Sequence, residues 1–341
     1  MTHDRIDKLM RAPDFWDRKT DGMLPTLLRP VGCMVNAIAG LRQKTGTPWK
    51  APVPVICVGN LVAGGAGKTP VCIDIVQRLK AKNIDAHIIT RGYGGTELGP
   101  VRVDRTVHTC IAVGDEALLL ADVAPTWVAK DRRQGIEAAV QAGAQMIVMD
   151  DGFQNPSVVK DLSLVVVDGG YGFGNGRVMP AGPLRESVSN GLTRADAVVL
   201  LGADEADVWG RVQRLGLKTL PILRAKLSPV GNVAELKGQE VFAFAGIGRP
   251  EKFYTTLQEI GCKLVGCRSF DDHHPYSDRE IISILADAID KPVFTTAKDH
   301  VRLKEDHRHR IHVLDIELVW KAADEIDALL APLLENRDAD V

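Results

Sequence analysis

The feature that most constrains this chain is a glycine-rich loop set between a strand and a helix. Val53 to Val58 is an apolar, largely β-branched run that stops at Gly59, and Val62-Ala63-Gly64-Gly65-Ala66-Gly67-Lys68-Thr69 follows shortly after. Beyond Pro70, Val71, Ile75, Val76 and Leu79 recur at helical spacing. Strand, glycine loop and helix make a phosphate cradle: backbone N–H groups converge on phosphate oxygens, and the helix N-terminus adds its positive dipole end. In such a cradle Lys68 reaches the outer phosphates and Thr69 ligates a magnesium ion. Val62 stands at the first glycine of the usual pattern, yet Gly64, Gly65 and Gly67 cluster where the backbone must approach a ligand. The alternative, a chance turn with a surface lysine, does not account for that clustering. The loop predicts a protein that handles a nucleoside triphosphate.

The rest of the chain supplies the sheet such a loop needs. Ala86 to Thr90, Met146 to Met149, Leu164 to Val167 and Ala197 to Leu201 read as buried strands separated by helical stretches, the pattern of an α/β protein. Beyond residue 222 a smaller unit begins. It has a strand at Gln239 to Ala245, helices at about Glu251 to Ile260 and Asp278 to Ile289, and a strand at Pro292 to Thr295. The predicted fold is α/β: a P-loop NTPase-like sheet domain over residues 1–222, with a second, smaller α/β domain over 223–317 closing a cleft. A C-terminal helix over 318–341 is expected to pack back on the first domain. At 45% apolar and 25% charged residues the composition is that of a chain with a full core. A net charge of −2 gives no reason to expect nucleic acid. Six scattered cysteines read as reduced thiols. Met1 to Arg11 is polar, so no signal peptide is expected.

Residues 24 to 41 stand apart. Leu24, Leu27, Leu28, Val31, Met34, Val35, Ile38 and Leu41 fall at helical spacing, and from Gly22 to Lys50 there are four basic residues and no acidic one. Pro30 to Leu41, the uncharged part, is far short of the roughly 20 residues of a spanning helix. An interfacial helix fits the length and charge; so does an amphipathic helix packed on the domain, its start broken by Pro25 and Pro30.

Chemistry-bearing residues collect at the carboxyl ends of the predicted strands, where open α/β sheets bind ligands. Arg91-Gly92-Tyr93-Gly94-Gly95 follows one strand. Ile111-Ala112-Val113-Gly114 leads to Asp115-Glu116, where Asp115 is either an N-cap or a catalytic or metal-linked carboxylate. Asp150-Asp151 ends another strand, as in P-loop enzymes that hold magnesium with an aspartate; alternation leaves open which of the two faces the metal. The proline-fixed loop Met179 to Leu184 presents Arg185 and Glu186. Asp271-Asp272-His273-His274 offers either a metal ligand or a general base tuned by an aspartate. Lys298 is misplaced for a guanine-reading motif, so GTP specificity has no support.

Taken together these stretches resemble the tetraacyldisaccharide 4'-kinase family, the lipid A 4'-kinases of Gram-negative bacteria. The resemblance is carried by Gly64 to Pro70, Arg91 to Gly95, Gly114-Asp115-Glu116, Asp150 to Gln154, Phe173 to Gly176, Pro180 to Glu186, Asp272 to Pro275 and Lys298-Asp299. It implies ATP-dependent phosphorylation of the 4' hydroxyl of a tetraacylated glucosamine disaccharide 1-phosphate, with Mg2+ as cofactor. It also implies a monomer lying on the cytoplasmic face of the inner membrane, which favours the interfacial helix. By position, Asp115 and His273 are implied as the pair that activates the hydroxyl, directly through the imidazole or by way of the carboxylate. Val62 to Thr69 would bind nucleotide. Thr69, Asp150 and Asp151 would belong to the metal shell with Glu116 nearby, and Asn60, Tyr93, Arg132, Arg185 and Glu186 to the reaction centre or lipid headgroup site. Val62 and Asn155 depart from the family, which carries Thr or Ser at the first position and commonly His at the second. Two rivals are a P-loop ATPase or GTPase acting as a metallochaperone or switch, and a soluble small-molecule kinase.

Overall fold

The computed structural model describes residues 13–17 and 22–338. The reading of Met1 to Arg11 lies outside them, as do the last three positions of the expected C-terminal helix.

After a 3-10 turn (Asp14–Trp16) come helix α1 (Met23–Thr45) and strand β1 (Val55–Gly59), and the glycine loop then delivers the chain into helix α2 (Lys68–Ala81). Strands β2 (Ala86–Thr90) and β3 (Val101–Arg102), helix α3 (Asp115–Ala121), strand β4 (Thr126–Val128) and helix α4 (Arg132–Gln141) follow. Strands β5 (Met146–Asp150), β6 (Leu162–Asp168), β7 (Ala197–Leu201) and β8 (Ile222–Pro229) come next. A smaller unit holds β9 (Glu240–Ala245), α5 (Pro250–Glu259), β10 (Lys263–Ser269), α6 (Asp278–Asp287), β11 (Val293–Thr295) and β12 (His312–Val313). The chain then returns as β13 (Ile316–Trp320) and α7 (Ala323–Asp338).

Among the described residues the larger sheet has nine strands in the order β13-β8-β7-β6-β1-β5-β2-β4-β3. β1 lies between β5 and β6, parallel to both, and all five of its residues are buried. Such near-continuous apolar strands are what a sheet covered on both faces requires. One face packs on Val71, Ile75, Val76 and Leu79 of α2, and the other on a cluster containing Ile136, Phe153 and Leu192. The glycine loop therefore leaves the middle of the sheet at its carboxyl edge. The smaller sheet has four parallel strands, β10-β9-β11-β12.

Three sequence expectations need correction. Residues 222–229 run as β8 beside β7 in the large sheet, so the boundary expected at 222/223 falls after this strand. The closing segment is not helical from residue 318: Ile316–Trp320 is an edge strand antiparallel to β8, and helix begins at Ala323. From there Ile326 and Leu330 are buried in the α2 face of the sheet. Alternating burial along β13, with Leu318 and Trp320 inward, is strand periodicity that the adjoining leucine-rich helix obscures. Ile111 to Val113, read as a strand end, lies instead in a single helical turn, Cys110–Val113.

Helix α1 runs through both prolines. Pro25 sits in the first turn, where its missing N–H costs nothing, and Pro30 is carried inside the helix. One face is docked: Gly32 sits so close to Val178 O that a Cβ would lie 2.6 Å from it, Asn36 Oδ1 accepts from Ser187 N at 2.7 Å, and Gln43 donates to Gln154 O at 2.9 Å. The opposite face leaves Met23, Leu24, Leu27, Val31, Met34, Ile38 and Leu41 exposed in one stripe. By length and apolar content the 23-residue helix is also sufficient to cross a bilayer.

Candidate active site

Gly67 caps the first turn of α2 with φ +84°, and a Cβ there would meet Leu201 Cδ1 at 2.4 Å, so conformation and space both demand glycine. Gly64 has φ +98° and open space above it. Val62 is no missing element of the cradle. It is buried, bridges Leu184, and helps clamp the loop to the segment carrying Arg185, together with Ala63 N to Pro183 O at 2.8 Å and Arg185 N to Leu61 O at 2.8 Å. Ala66 is buried beneath the loop.

At the base of α2 the Lys68 side chain is only 8% exposed, and its ammonium lies 3.7 Å from Asp151 Oδ1. Arg185 grips the same carboxylate with two nitrogens, at 2.7 and 3.1 Å. Burial works against charge at Asp151, but these two cations outweigh it and hold the carboxyl below its ordinary range. Asp150 is the reverse case. It is fully buried, among the described residues it accepts only from Thr90 Oγ1 at 3.3 Å and the Cys72 thiol at 3.7 Å, and desolvation together with the nearby Glu116 charge pushes it up to about 7. Thr69, the next residue after Lys68, is also buried.

The other wall comes from α3 and the smaller unit. Gly114, with φ +85°, turns the chain into α3; a Cβ there would lie 2.4 Å from Tyr93 O. This close approach sets Asp115 against the loop after β2. Across from it, His273 adopts φ +61° and brings Nδ1 to 3.0 Å from Asp115 Oδ2. The hydrogen bond to Asp115 is the main reason the imidazole is more basic than an ordinary histidine, against the effect of burial. Burial disfavours charge on Asp115, yet His273 and Arg302 hold its carboxyl far below the usual range. The Tyr93 ring is exposed, with its centroid 5.3 Å from that of His273. Next to Asp115, Glu116 is ion-paired with Lys298 of the smaller unit, while the Lys68 charge also acts on it.

The structure thus brings Lys68, Thr69, Asp150, Asp151 and Arg185 together on one side, and Asp115, His273 and Tyr93 on the other, with Glu116 between. His274 is turned away to Glu280 at 3.0 Å and packs on Phe270 and Tyr276, which removes the paired-histidine metal reading. Glu186 is not presented to the cleft. It is buried and bound by Arg194 at 2.7 and 2.8 Å, a structural ion pair under the Arg185 loop. Asn60 and Arg132 are buried at the edge of the site, each with an unpartnered polar atom, Oδ1 and Nε respectively. Sequence reasoning missed Lys298 and Arg302 as site residues. Lys298 lies in the short helix Ala297–His300 and Arg302 in the turn just after it, and no periodicity in the sequence marks the pair.

A glycine loop leaving the central strand of a doubly wound sheet, with a buried lysine and paired aspartates at its mouth, defines a P-loop α/β enzyme. The chain belongs to the tetraacyldisaccharide 4'-kinase family: the family profile described as Tetraacyldisaccharide-1-P 4'-kinase matches residues 24–335. A tetraacyldisaccharide 4'-kinase of Rhodospirillum centenum is 50% identical over 339 residues, covering 96% of this chain and 98% of that one. The Rhodospirillum rubrum enzyme of the same name is 47% identical, with 96% and 99% covered. Among solved structures, LpxK from Aquifex aeolicus in complex with ATP superposes with a TM-score of 0.75 at 26% identity, covering 91% of this chain and 99% of that one.

Proposed function

We propose that this enzyme transfers the γ-phosphoryl group of ATP to the 4' hydroxyl of a tetraacylated glucosamine disaccharide 1-phosphate, using Asp115 and His273 to accept the hydroxyl proton. The observation that carries the reading is the 3.0 Å contact between His273 of the smaller unit and Asp115 of the larger, beside the carboxylate that pairs with Lys298 and feels Lys68.

The amides of residues 63 to 69 would cradle the triphosphate, and Lys68 and Arg185 would face the charge that spreads onto the transferred group. Asp115 would fix the imidazole, and His273 would hold the proton released by the sugar oxygen as it attacks in line. Arginine and lysine contacts between the two units would exclude water while the phosphoryl group is in transit.

The residues present fit a magnesium ion. Thr69 and Asp150 offer hard oxygen donors, Asp150 lacks a cation of its own, and no preformed cage of three or more ligating side chains occurs among the described residues. That is the expected arrangement for an ion that keeps waters and phosphate oxygens in its shell. When bound, it would neutralise charge on the β- and γ-phosphate oxygens. Asp151, already committed to Arg185, would orient rather than ligate.

The apolar stripe of α1 would seat the protein on the inner-membrane surface beside its acylated substrate, with Arg29, Arg42 and Lys44 at headgroup level. Docking of the other face on residues 154, 178 and 187 favours a helix lying on the membrane over one crossing it.

The test is incubation with γ-labelled ATP and tetraacyldisaccharide 1-phosphate. A labelled, more anionic lipid is expected. Release of inorganic phosphate without labelled lipid would favour the ATPase alternative.

A further inference from the structure

The smaller unit meets the larger at a second place, away from Asp115 and His273. Asp168 ends β6, and its two carboxylate oxygens have separate partners. Oδ1 accepts from the backbone N–H groups of Gly170 and Tyr171, at 3.0 and 3.1 Å, and holds the turn that follows the strand. Oδ2 faces the smaller unit, where Lys252 of α5 donates to it and Arg249 Nη1 lies 3.4 Å away. The Arg249 guanidinium also sits over the Tyr171 ring, 4.6 Å from its centroid.

Sheet order gives this contact its meaning. β6 and β2 lie on opposite sides of β1, in the order β6-β1-β5-β2. Asp115 stands against the loop after β2, so the smaller unit touches the larger on both flanks of the strand that carries the glycine loop. The chain enters the smaller unit from β8 and leaves it into β13, both on the β6 side. In sheet order the Asp168 contact therefore falls between these connections and the phosphate cradle, and the His273 contact falls beyond the cradle.

One short loop joins the two contacts. Gly246-Ile247-Gly248-Arg249 follows β9, and Arg249 at its end reaches Asp168 and Tyr171. At its start Gly246 O accepts from His273 N at 3.2 Å and from Arg302 Nη1 at 2.7 Å. Gly246 has little room to shift: its N–H donates to Asp299 Oδ1 at 2.9 Å, and a Cβ there would lie 2.8 Å from Tyr276 Oη. Three residues of chain span at most about 10 Å, so a displacement of Arg249 reaches Gly246 with little slack to absorb it.

We propose that Asp168 and Arg249 are positioning residues, whose contact seats the loop 246–249 and through Gly246 sets the approach of His273 to Asp115 across the glycine loop. The proposal rests on the kinase reading above for its effect on rate, and on the geometry alone for its effect on His273.

The experiment uses the full chain as wild type, Asp168→Asn, Arg249→Met, the double variant, and Lys252→Met as a further probe from α5. Asparagine keeps an acceptor oxygen for Gly170 and Tyr171 and loses the charge that meets the two cations. The pKa of His273 is read by NMR of 15N-histidine-labelled protein, its signal identified by its loss in His273→Gln. The charges acting on this imidazole are Asp115, Asp272 and Arg302, and none of them is altered. A plain charge effect would lower the pKa in Asp168→Asn and raise it in Arg249→Met. Positioning lowers it in both, toward the ordinary value of about 6.5, because in each the imidazole draws back from Asp115. Lys252→Met should lower it by less, since Arg249 still meets Asp168. With ATP and tetraacyldisaccharide 1-phosphate, kcat should fall at least about tenfold in Asp168→Asn and in Arg249→Met, within the roughly 10²-fold that a misplacement of about 1 Å can cost. The double variant should be no slower than the slower single, as for two residues in one contact. Opposite pKa movements in the two single variants, an unmoved pKa, a wild-type kcat in both, or losses that multiply in the double variant would overturn the proposal. Should Asp168→Asn not fold, the sign in Arg249→Met and Lys252→Met still decides, since charge alone would raise the pKa in both. Wild-type protein that phosphorylates no lipid would sink the kinase reading instead, and the pKa movements would still test the seating of His273.

Discussion

Asp151 is held by both terminal nitrogens of Arg185, at 2.7 and 3.1 Å, whereas Asp150, one residue earlier, forms no ion pair among the described residues. The alternation of the strand separates them: Asp150 ends β5 inside the fold, and Asp151, with φ +52°, turns outward to the cations. Asp150 is thereby left as the group whose charge waits for a partner.

The pH dependence of stability should report this. The folded-state pKa of Asp150, about 7, is above the roughly 3.9 of an unfolded aspartate, so the folded chain binds the extra proton between those values. Its contribution to stability is full below the unfolded value and is lost as pH rises through 7. Denaturation without divalent cation should show this loss, and Asp150→Asn should remove it. Added Mg2+ should raise the melting temperature more at pH 8 than at pH 6 in the wild type, and not in Asp150→Asn. Equal magnesium shifts at both pH values would remove Asp150 from the metal shell.

His273 titrates in the opposite functional sense. Its pKa is raised, mainly by the hydrogen bond to Asp115, so the neutral imidazole that the proposed role requires forms only above the ordinary histidine value of about 6.5. The acid limb of kcat/KM should lie above that value. Asp115→Asn removes the charge that raises it, so the limb should move down while the plateau falls by about 10²-fold or more. A limb unmoved by Asp115→Asn would show that another group sets it.

Much of this site could be read before the structure, because its parts obey local rules. Gly67 and Lys68 are legible since a left-handed cap and a lysine directly after it have few other uses. Asp115 and Asp150 are legible as acids at strand or loop ends. What could not be read is which charges neutralise which. Arg185 and Glu186 are adjacent and equally polar, yet one faces Asp151 and the other is sealed against Arg194. Arg302 meets Asp115 across 187 positions of chain, a distance no periodicity encodes. Strand β13 was hidden for a related reason: a short edge strand beside a leucine-rich helix carries less pattern than its neighbour.

The α1 stripe gives a prediction independent of the chemistry. Leu27, Met34 and Ile38 are exposed and make no part of the docked face. Fully burying such a side chain in an apolar phase is worth about 1.5–3 kcal/mol. Changing all three to Gln should lower binding to liposomes of inner-membrane composition by at least roughly tenfold, since one such side chain already exceeds 1.4 kcal/mol. Melting temperature should stay near that of wild type. Undiminished liposome binding would mean that the stripe is not the attachment surface.

Gly114 joins the fold to the chemistry most directly. Its φ of +85° excludes most side chains, and a methyl group would lie 2.4 Å from Tyr93 O, a backbone atom that cannot swing aside. The loops on either side are stitched together by Thr96 N to Ile111 O at 3.0 Å and Glu97 N to Ala112 O at 2.9 Å, so relief must come from the chain leading into Asp115. A strained residue of this kind costs on the order of 1–3 kcal/mol. Gly114→Ala should therefore lose stability on that scale in urea denaturation. Its kcat should fall more steeply than its ATP affinity, because Asp115 is displaced from His273 while the glycine loop of α2 is untouched. A variant with lowered stability and unaltered kcat would show that the strain is relieved on the Tyr93 side, and that the position of Asp115 does not depend on this turn.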